Sequence, residues 1–467
     1  MRFGPILLAC VLTVPVLSQS FDIVISHGRV IDPETNLDAL RNVGIRGGKI
    51  AAISESPLTG DVIVDAEGLV VAPGFIDIHQ HGQTEQNYEV KARDGVTTAL
   101  EMEVGIESVL PWYARRQGKS SINFGASVGH IPVRIAVLKD TGTFLPRDSA
   151  IDTTATPTQL GEILSLLRKG LDEGALGIGM GIAYTPGASR EEIFRIFQLA
   201  ASRQVPVYVH LRSAGPVDPG GIAALDEVMA DAAAAGSALH VAHITSTELR
   251  ETGLALELLR AARRHALNFT TEAYPYTAGM TDIASAIFSP GWEARNGGIN
   301  YRDLQWAATG ERLTDESFRR YRKQGGMVAI HSIPEPVGRE ALADPDVLVA
   351  SDGILDNGKG HPRAAGTYAR VLGKYVREEH VLSLKDALRK MTLLPAQRVG
   401  LSSKGRLQLG ADADIAVFDP QRVTDRATFE NPAQYSDGIP YVMVCGVWVV
   451  KNGQLQSGVY PGQGVRK

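Results

Sequence analysis

Between residues 75 and 352 the chain repeats one pattern: a short apolar run, then a longer stretch in which apolar residues recur every three or four positions. The runs cover residues 75–81, 98–103, 122–128, 175–180, 205–211, 239–244, 267–273 and 347–352. Continuous apolar runs predict strands buried on both faces, and the periodic stretches 158–173, 191–203 and 253–265 predict helices between them. Eight strands alternating with helices predict an α/β fold, a (β/α)8 TIM barrel. A further strand-like run, 326–331, falls in an insertion before the last strand.

The two ends have a different rhythm. Residues 22–71 give short β-like runs (DIVISHGRVI, NVGIRGG, KIAAIS, DVIVDAEG) broken by Gly and Asp turns, and 410–450 give ADIAVFD and YVMVCGVWVVKNG. Such runs read as hairpins. Together they predict a small β-sandwich domain built from both termini, 21–72 and 401–467, flanking a barrel over 73–400. Residues 1–20 carry Arg2, an apolar run from Pro5 to Leu17 and the small residues Ser18 and Ser20. That is the plan of a secretory signal peptide, and it predicts export to the periplasm or the medium. Cys10, after Leu8 and Ala9, offers a lipoprotein signal as one alternative, and an uncleaved membrane anchor is the other. No later segment has the roughly 20 apolar residues of a membrane span, so no stable membrane insertion is expected.

Composition narrows the function. The 467 residues are 44% hydrophobic and 21% charged with a net charge of -5, which gives no reason to expect a nucleic-acid partner. Beyond the signal segment the only cysteine is Cys445. An intrachain disulfide and a cysteine-rich zinc site are therefore excluded, and any metal must be held by His and carboxylate.

The first predicted barrel strand ends PGFIDIHQH. His79 and His81 are two apart, so on a strand they share a face, and they stand at the C-terminal end where barrel catalytic residues gather. Strands five, six and eight end in His210 (VYVHLRS), His243 (LHVAHITS) and Asp352 (VLVASDG). Five metal-competent groups closing strands of one barrel face one mouth, and imidazole with carboxylate is a ligand set that zinc accepts. The second strand adds Glu101 and Glu103 on one face; two buried carboxylates there call for a cation between them. Glu103, nearer the strand end, is the preferred bridge between two ions, with Glu101 as the alternative. His130, in GHIPVR, reads as a structural histidine. GIGMGIAYTPG lacks the strand-GxGxxG-helix setting of a dinucleotide site and reads as a loop. Residues 230–236 read as a helix end closed by glycine, and 260–265 as a solvated helix face.

Beyond these single motifs, GFIDIHQH, DGVTTALEMEVG, EGALGIGMGIAYTPG, VHLRS, VAHITS, EAYPYTAGMT, ASDG, HPRAAGTYARVLG and the C-terminal ADIAVFDP resemble the N-acyl-D-amino-acid deacylases (D-aminoacylases) of the amidohydrolase superfamily over nearly the whole chain. The resemblance implies His79 and His81 at one metal position, His210 and His243 at the other, and Asp352 as the catalytic carboxylate. It nominates Tyr184, Tyr276 and Arg363 around an N-acyl amino acid substrate, with one or two zinc or other divalent ions as cofactor. Two positions depart from it: the deacylases' metal-binding Cys is Val104 here, and a Lys two residues after the second metal His is Thr245. Cyclic amidases of the hydantoinase or dihydroorotase kind and D- or isoaspartyl dipeptidases share such metals, and a non-catalytic binding barrel is a further alternative.

The implied chemistry is hydrolysis of a C–N amide bond: metal-activated hydroxide attacks the acyl carbonyl while Asp352 serves as general base and then general acid. Asp352 as a pure metal ligand is the alternative. Arg363 offers a planar fork for a substrate carboxylate, or pins its own loop. Tyr184 and Tyr276 could donate to a developing oxyanion, or simply pack.

Overall fold

The two hydrophobic rhythms separate in space. The structure, a computed structural model, describes residues 20–467. The expected signal segment, Cys10 included, lies outside the described residues apart from Ser20.

The N-terminal runs form β1 (Phe21–Asp32), β2 (Leu37–Arg46), β3 (Lys49–Ser54), β4 (Gly60–Asp65) and β5 (Val70–Pro73). The continuous apolar runs form β6 (Phe75–Asp77), β7 (Val96–Ile106), β8 (Asn123–Gly129), β9 (Ile178–Gly181), β10 (Val207–His210), β11 (Leu239–Val241) and β12 (Phe269–Ala273). An insertion carries β13 (Gly279–Asp282), β14 (Leu304–Trp306) and β15 (Met327–Ile330), and β16 (Val347–Val349) follows it. A small hairpin, β17 (Leu355–Asp356) and β18 (Lys359–Gly360), precedes β19 (Ile415–Phe418), β20 (Tyr441–Val444), β21 (Val447–Lys451) and β22 (Gln454–Leu455).

All eight expected barrel strands exist. They form one parallel sheet in the order β16-β12-β11-β10-β9-β8-β7-β6. The seam between β6 and β16 is closed by a parallel bridge from Gln80 to Gly353, and by Asp77, which accepts the Ser351 backbone N–H at 3.0 Å. The strands read as unbroken apolar runs because helices cover the outside. In helix Arg190–Ser202 the buried Ile193, Ile196, Phe197 and Ala200 form the expected stripe towards the sheet. Helix Pro157–Asp172 starts at a capping box of Thr156 and Gln159 with Pro in its first turn, and helix Gly220–Ala235 stops at Gly236 in a left-handed turn, φ 71°.

The terminal strands meet in one nine-stranded sheet around a core that includes Ile25, Val43, Val71, Ile415, Val417 and Met443. Within it β5 pairs with β1 on one side and with β19 on the other, Val71 opposite both Val30 and Val417. The end of the chain then leaves this sheet for the barrel: Gly464 bridges Phe124 of β8, and the Tyr113 hydroxyl donates to Val465 O at 2.6 Å.

The run 326–331 is β15, the middle strand of a three-stranded antiparallel sheet with its own core of Ile283, Trp292, Trp306, Phe318 and Val328. Of GIGMGIAYTPG, expected as a loop, residues Ile178–Gly181 are strand β9 and Ile182–Tyr184 a single 3-10 turn. The face 260–265 is not simply solvated: Arg260 and Arg263 reach Asp344 at 2.6 Å and Asp346 at 2.8 Å. Among the described residues no helix is long and apolar enough to cross a membrane.

Candidate active site

Four of the five metal-competent groups, His79, His81, His243 and Asp352, lie just beyond regular strand, where the chain is free to turn them inward. β6 ends at Asp77, and His79 is held by an isolated bridge to Glu101 of β7. His210 is the last residue of β10. His243 follows β11 with φ 30°, and Asp352 follows β16 with φ 51°. Left-handed backbone at a non-glycine residue costs on the order of 1–3 kcal/mol. Both strained residues send their side chains to the same centre.

There the geometry is specific. His79 Nε2 lies 3.2 Å from His81 Nε2, 3.4 Å from Glu103 Oε2 and 3.6 Å from Asp352 Oδ1. His81 Nε2 lies 3.3 Å from each of those two oxygens. A tetrahedron of ligands at about 2.1 Å from a zinc ion has edges of about 3.4 Å. The triangles His79–His81–Glu103 and His79–His81–Asp352 both have edges of 3.2–3.6 Å, the spacing of neighbouring ligands around one divalent ion. The other oxygen of Glu103, Oε1, is 2.8 Å from His210 Nδ1 and 3.5 Å from His243 Nε2, which makes a second, three-donor group. Glu103 is the residue common to both.

The far nitrogens are anchored. His81 Nδ1–H donates to Glu101 Oε2 at 2.9 Å, His79 Nδ1–H to Glu272 Oε1, and Ser246 Oγ faces His243 Nδ1 at 3.0 Å. With their protons fixed on Nδ1, His79 and His81 turn lone pairs on Nε2 towards each other, an arrangement that calls for a cation. The electrostatics agree. Burial works against charge on His79 and His81, yet the carboxylates of Glu272, Asp352, Glu101 and Glu103 outweigh it and hold both rings well above the ordinary histidine range. Burial would raise Glu103, but the surrounding imidazoles of His210, His243, His79 and His81 keep it well below the usual carboxylate range. Asp352 is lowered likewise: Arg363 and His79 prevail over its burial. His210 is lowered by burial and by the neighbouring His243.

A cavity of about 370 Å³ opens onto this cluster. Its wall includes His81, Glu103, His210, His243, Asp352, Tyr184 and Arg363, with Met280, Ile287 and Ile330 contributed by the insertion. Arg363 Nη2 donates to Asp352 Oδ2 at 2.7 Å, and its guanidinium lies 4.5 Å over the Tyr274 ring. Its Nε and Nη1 are buried and have no hydrogen-bond partner within the protein. The Tyr184 hydroxyl is 3.1 Å from Thr281 Oγ1, and its ring packs 4.9 Å from that of His210. Burial and the charge of Glu103 raise Tyr184 well above the tyrosine range, so it remains a donor.

Tyr276 is not brought to the cavity. Its hydroxyl reaches Pro362 O at 3.5 Å, and its ring packs on His361 under the Arg370 guanidinium. Tyr274, two residues earlier, takes the wall position. His130 is structural, fully buried with Nε2 2.7 Å from Glu192. Glu272 and His240 also belong to the centre's surroundings without closing a strand; their sequence signal is a charged and a polar residue inside runs otherwise apolar. Val104, where the deacylases carry Cys, packs with Ile131, Leu145 and Tyr184.

Fold and centre together define a class. The Amidohydrolase family model matches residues 134–450, and the chain belongs to this family of metal-dependent hydrolases acting on carbon–nitrogen bonds. Among its relatives, an N-acyl-D-glutamate deacylase of Alcaligenes xylosoxydans xylosoxydans is 30% identical over 92% of this chain and 94% of that protein. The N-acyl-D-glutamate deacylase of Bordetella bronchiseptica, solved with zinc and a phosphonate mimic of the tetrahedral intermediate, superposes with TM-score 0.83 at 28% identity, covering 96% of this chain and 100% of that one. A D-aminoacylase whose binuclear centre shows one-metal activation and second-metal attenuation gives TM-score 0.83 at 26% identity, with the same coverage.

Proposed function

We propose that the protein is a zinc-dependent deacylase of N-acyl-D-amino acids. The observation that carries this reading is the cluster of His79, His81, Glu103 and Asp352, set at the floor of a cavity with Arg363 in its wall. His79, His81, Glu103 and Asp352 would hold one ion, and His210, His243 and Glu103 would hold a second. A bound divalent ion supplies acidity, lowering the pKa of water enough for attack at neutral pH and polarising the acyl carbonyl. Asp352 does the proton work: ionised beside Arg363 and His79, it takes the proton of the attacking water and delivers it to the leaving nitrogen. Arg363 orients Asp352 through Nη2 and offers Nε and Nη1 to the carboxylate of the amino acid. Tyr184 donates to the developing oxyanion.

The walls argue for an apolar side chain or acyl group. Phe144, Leu145, Met280, Ile287, Ile330 and Ile354 line the cavity, while its other two arginines are engaged. Arg212 donates to Glu227 at 2.8–3.2 Å, and Arg295 to the carbonyls of Ser289 and Pro290 at 2.9 Å. An acidic side chain, as in the substrate named for the glutamate deacylases, would meet no free cation there besides Arg363.

A panel of N-acetyl D- and L-amino acids, hydantoin and dihydroorotate against zinc-loaded protein tests the reading. Release of D-amino acids with apolar side chains, abolished by chelation and restored by zinc, is expected. Turnover of the cyclic amides with none of the N-acyl substrates would overturn it. The N-terminal run after Arg2 supports export to the periplasm or the medium; N-terminal sequencing of the mature protein from cell fractions checks that.

A further inference from the structure

Beneath the cluster, inside the barrel, β11 and β12 place a polar group that the reaction scheme leaves without a task. Glu272 is 1% exposed at a position that barrels ordinarily fill with a branched apolar residue. Its two oxygens are divided between two imidazoles: Oε1 accepts from His79 Nδ1, and Oε2 accepts from His240 Nε2 at 3.0 Å. His240, equally buried on β11, receives the Thr270 hydroxyl on Nδ1 at 2.7 Å, and its ring packs 5.4 Å from Tyr208.

The direction of every hydrogen bond in this chain is set. A carboxylate only accepts, so both imidazoles donate to Glu272, and His240 is left with Nδ1 as an acceptor for Thr270. His79 thereby carries its proton on Nδ1 and presents Nε2 to His81, Glu103 and Asp352. The support is unequal between the two halves of the centre, because the far nitrogen of His243 meets only the hydroxyl of Ser246. A buried carboxylate is costly unless its lone pairs are met, and His240 meets the half that His79 does not.

We propose that Glu272, held by His240, is a positioning residue for the metal position of His79 and His81 alone. The inference rests on the metal-centre reading above, and its test is independent of turnover. Metal-free full-length protein is titrated with cobalt(II), following the visible absorption of each binding step, in the wild type and in Glu272→Gln, His240→Gln, His79→Ala and His210→Ala.

The step lost in His79→Ala is expected to weaken about 10- to 100-fold in Glu272→Gln, with a smaller loss in His240→Gln, whose amide can still donate to Glu272. The step lost in His210→Ala should keep its wild-type affinity. Should Glu272→Gln fail to fold, as judged by circular dichroism, the His240→Gln titration decides on the same criterion. No step sensitive to His79→Ala, an unchanged one, or equal weakening of both steps overturns the proposal. Wild-type protein that binds no divalent ion would instead sink the metal-centre reading itself.

Discussion

Replacing Glu103 by glutamine keeps the shape of the side chain and removes one negative charge from among four imidazoles. The carboxylate is 3% exposed, with Oε2 3.3–3.4 Å from the Nε2 atoms of His81 and His79, and Oε1 2.8 Å from His210 and 3.5 Å from His243. Removing one partner of a buried ion pair costs about 3–5 kcal/mol. At about 1.4 kcal/mol per tenfold, that is a loss of about 10²- to 10⁴-fold in divalent-ion affinity. Because each oxygen faces a different pair of histidines, both positions should lose their ions. Glu101→Gln is the matched comparison: of the four imidazoles Glu101 is paired with His81, at 2.9 Å, so it should lose about 10- to 100-fold at one position. Equilibrium dialysis against buffered zinc, with the bound ions counted by elemental analysis, measures both variants. Glu103→Gln holding zinc as the wild type does, or Glu101→Gln losing more than Glu103→Gln, would refute the assignment of the bridge.

Three further outcomes are expected. Asp352→Asn should lower kcat by about 10²- to 10⁴-fold while the ion held by His210 and His243 stays bound; undiminished turnover would remove Asp352 from proton transfer. Arg363→Lys, which loses the planar fork, should raise KM for N-acetyl amino acids about 10- to 100-fold and leave KM for the matching α-carboxamides nearly unchanged, so equal effects on both would show that Arg363 does not read the carboxylate. Glu248 is buried with neither oxygen hydrogen-bonded, and burial, with Glu251 and Asp226 nearby, pushes it up to about 8. Its unfolded-state value is about 4.3, so the folded protein holds a proton that the unfolded chain releases, and stability falls as pH rises from there through 8. Glu248→Gln should therefore raise the unfolding temperature by a few degrees at pH 8 and hardly at all at pH 4; a gain that ignores pH would show that ionisation is not the cause.

The barrel was legible because strands buried on both faces write themselves as apolar runs, and all eight were visible in that form. His210, His243 and Asp352 were legible for the same reason, each standing where such a run should have stayed apolar. Choosing between Glu101 and Glu103 was harder, since side-chain alternation puts both on one face and only the register against β6 separates their partners. Tyr276 was misplaced because in Tyr274-Pro275-Tyr276 the sequence gives no sign of which ring turns inward. Glu272 and His240 were missed for a related reason: neither closes a strand, and what they meet is fixed by pairing across β11 and β12, which no local pattern records.

The arrangement of β5 also bears on how the chain is made. One edge of β5 joins β1, close by in sequence, but the other waits for β19, where Val71 finds Val417. A nascent chain therefore carries a correctly begun sheet with an unpaired apolar edge throughout synthesis of the whole barrel. Contacts this distant in sequence form slowly, and an open strand edge invites pairing with another chain. Yield in overexpression should thus hinge on the segment from Ile415 to the last residue, and supplying that segment late, or cutting it short, would leave an aggregation-prone barrel with its metal ligands intact.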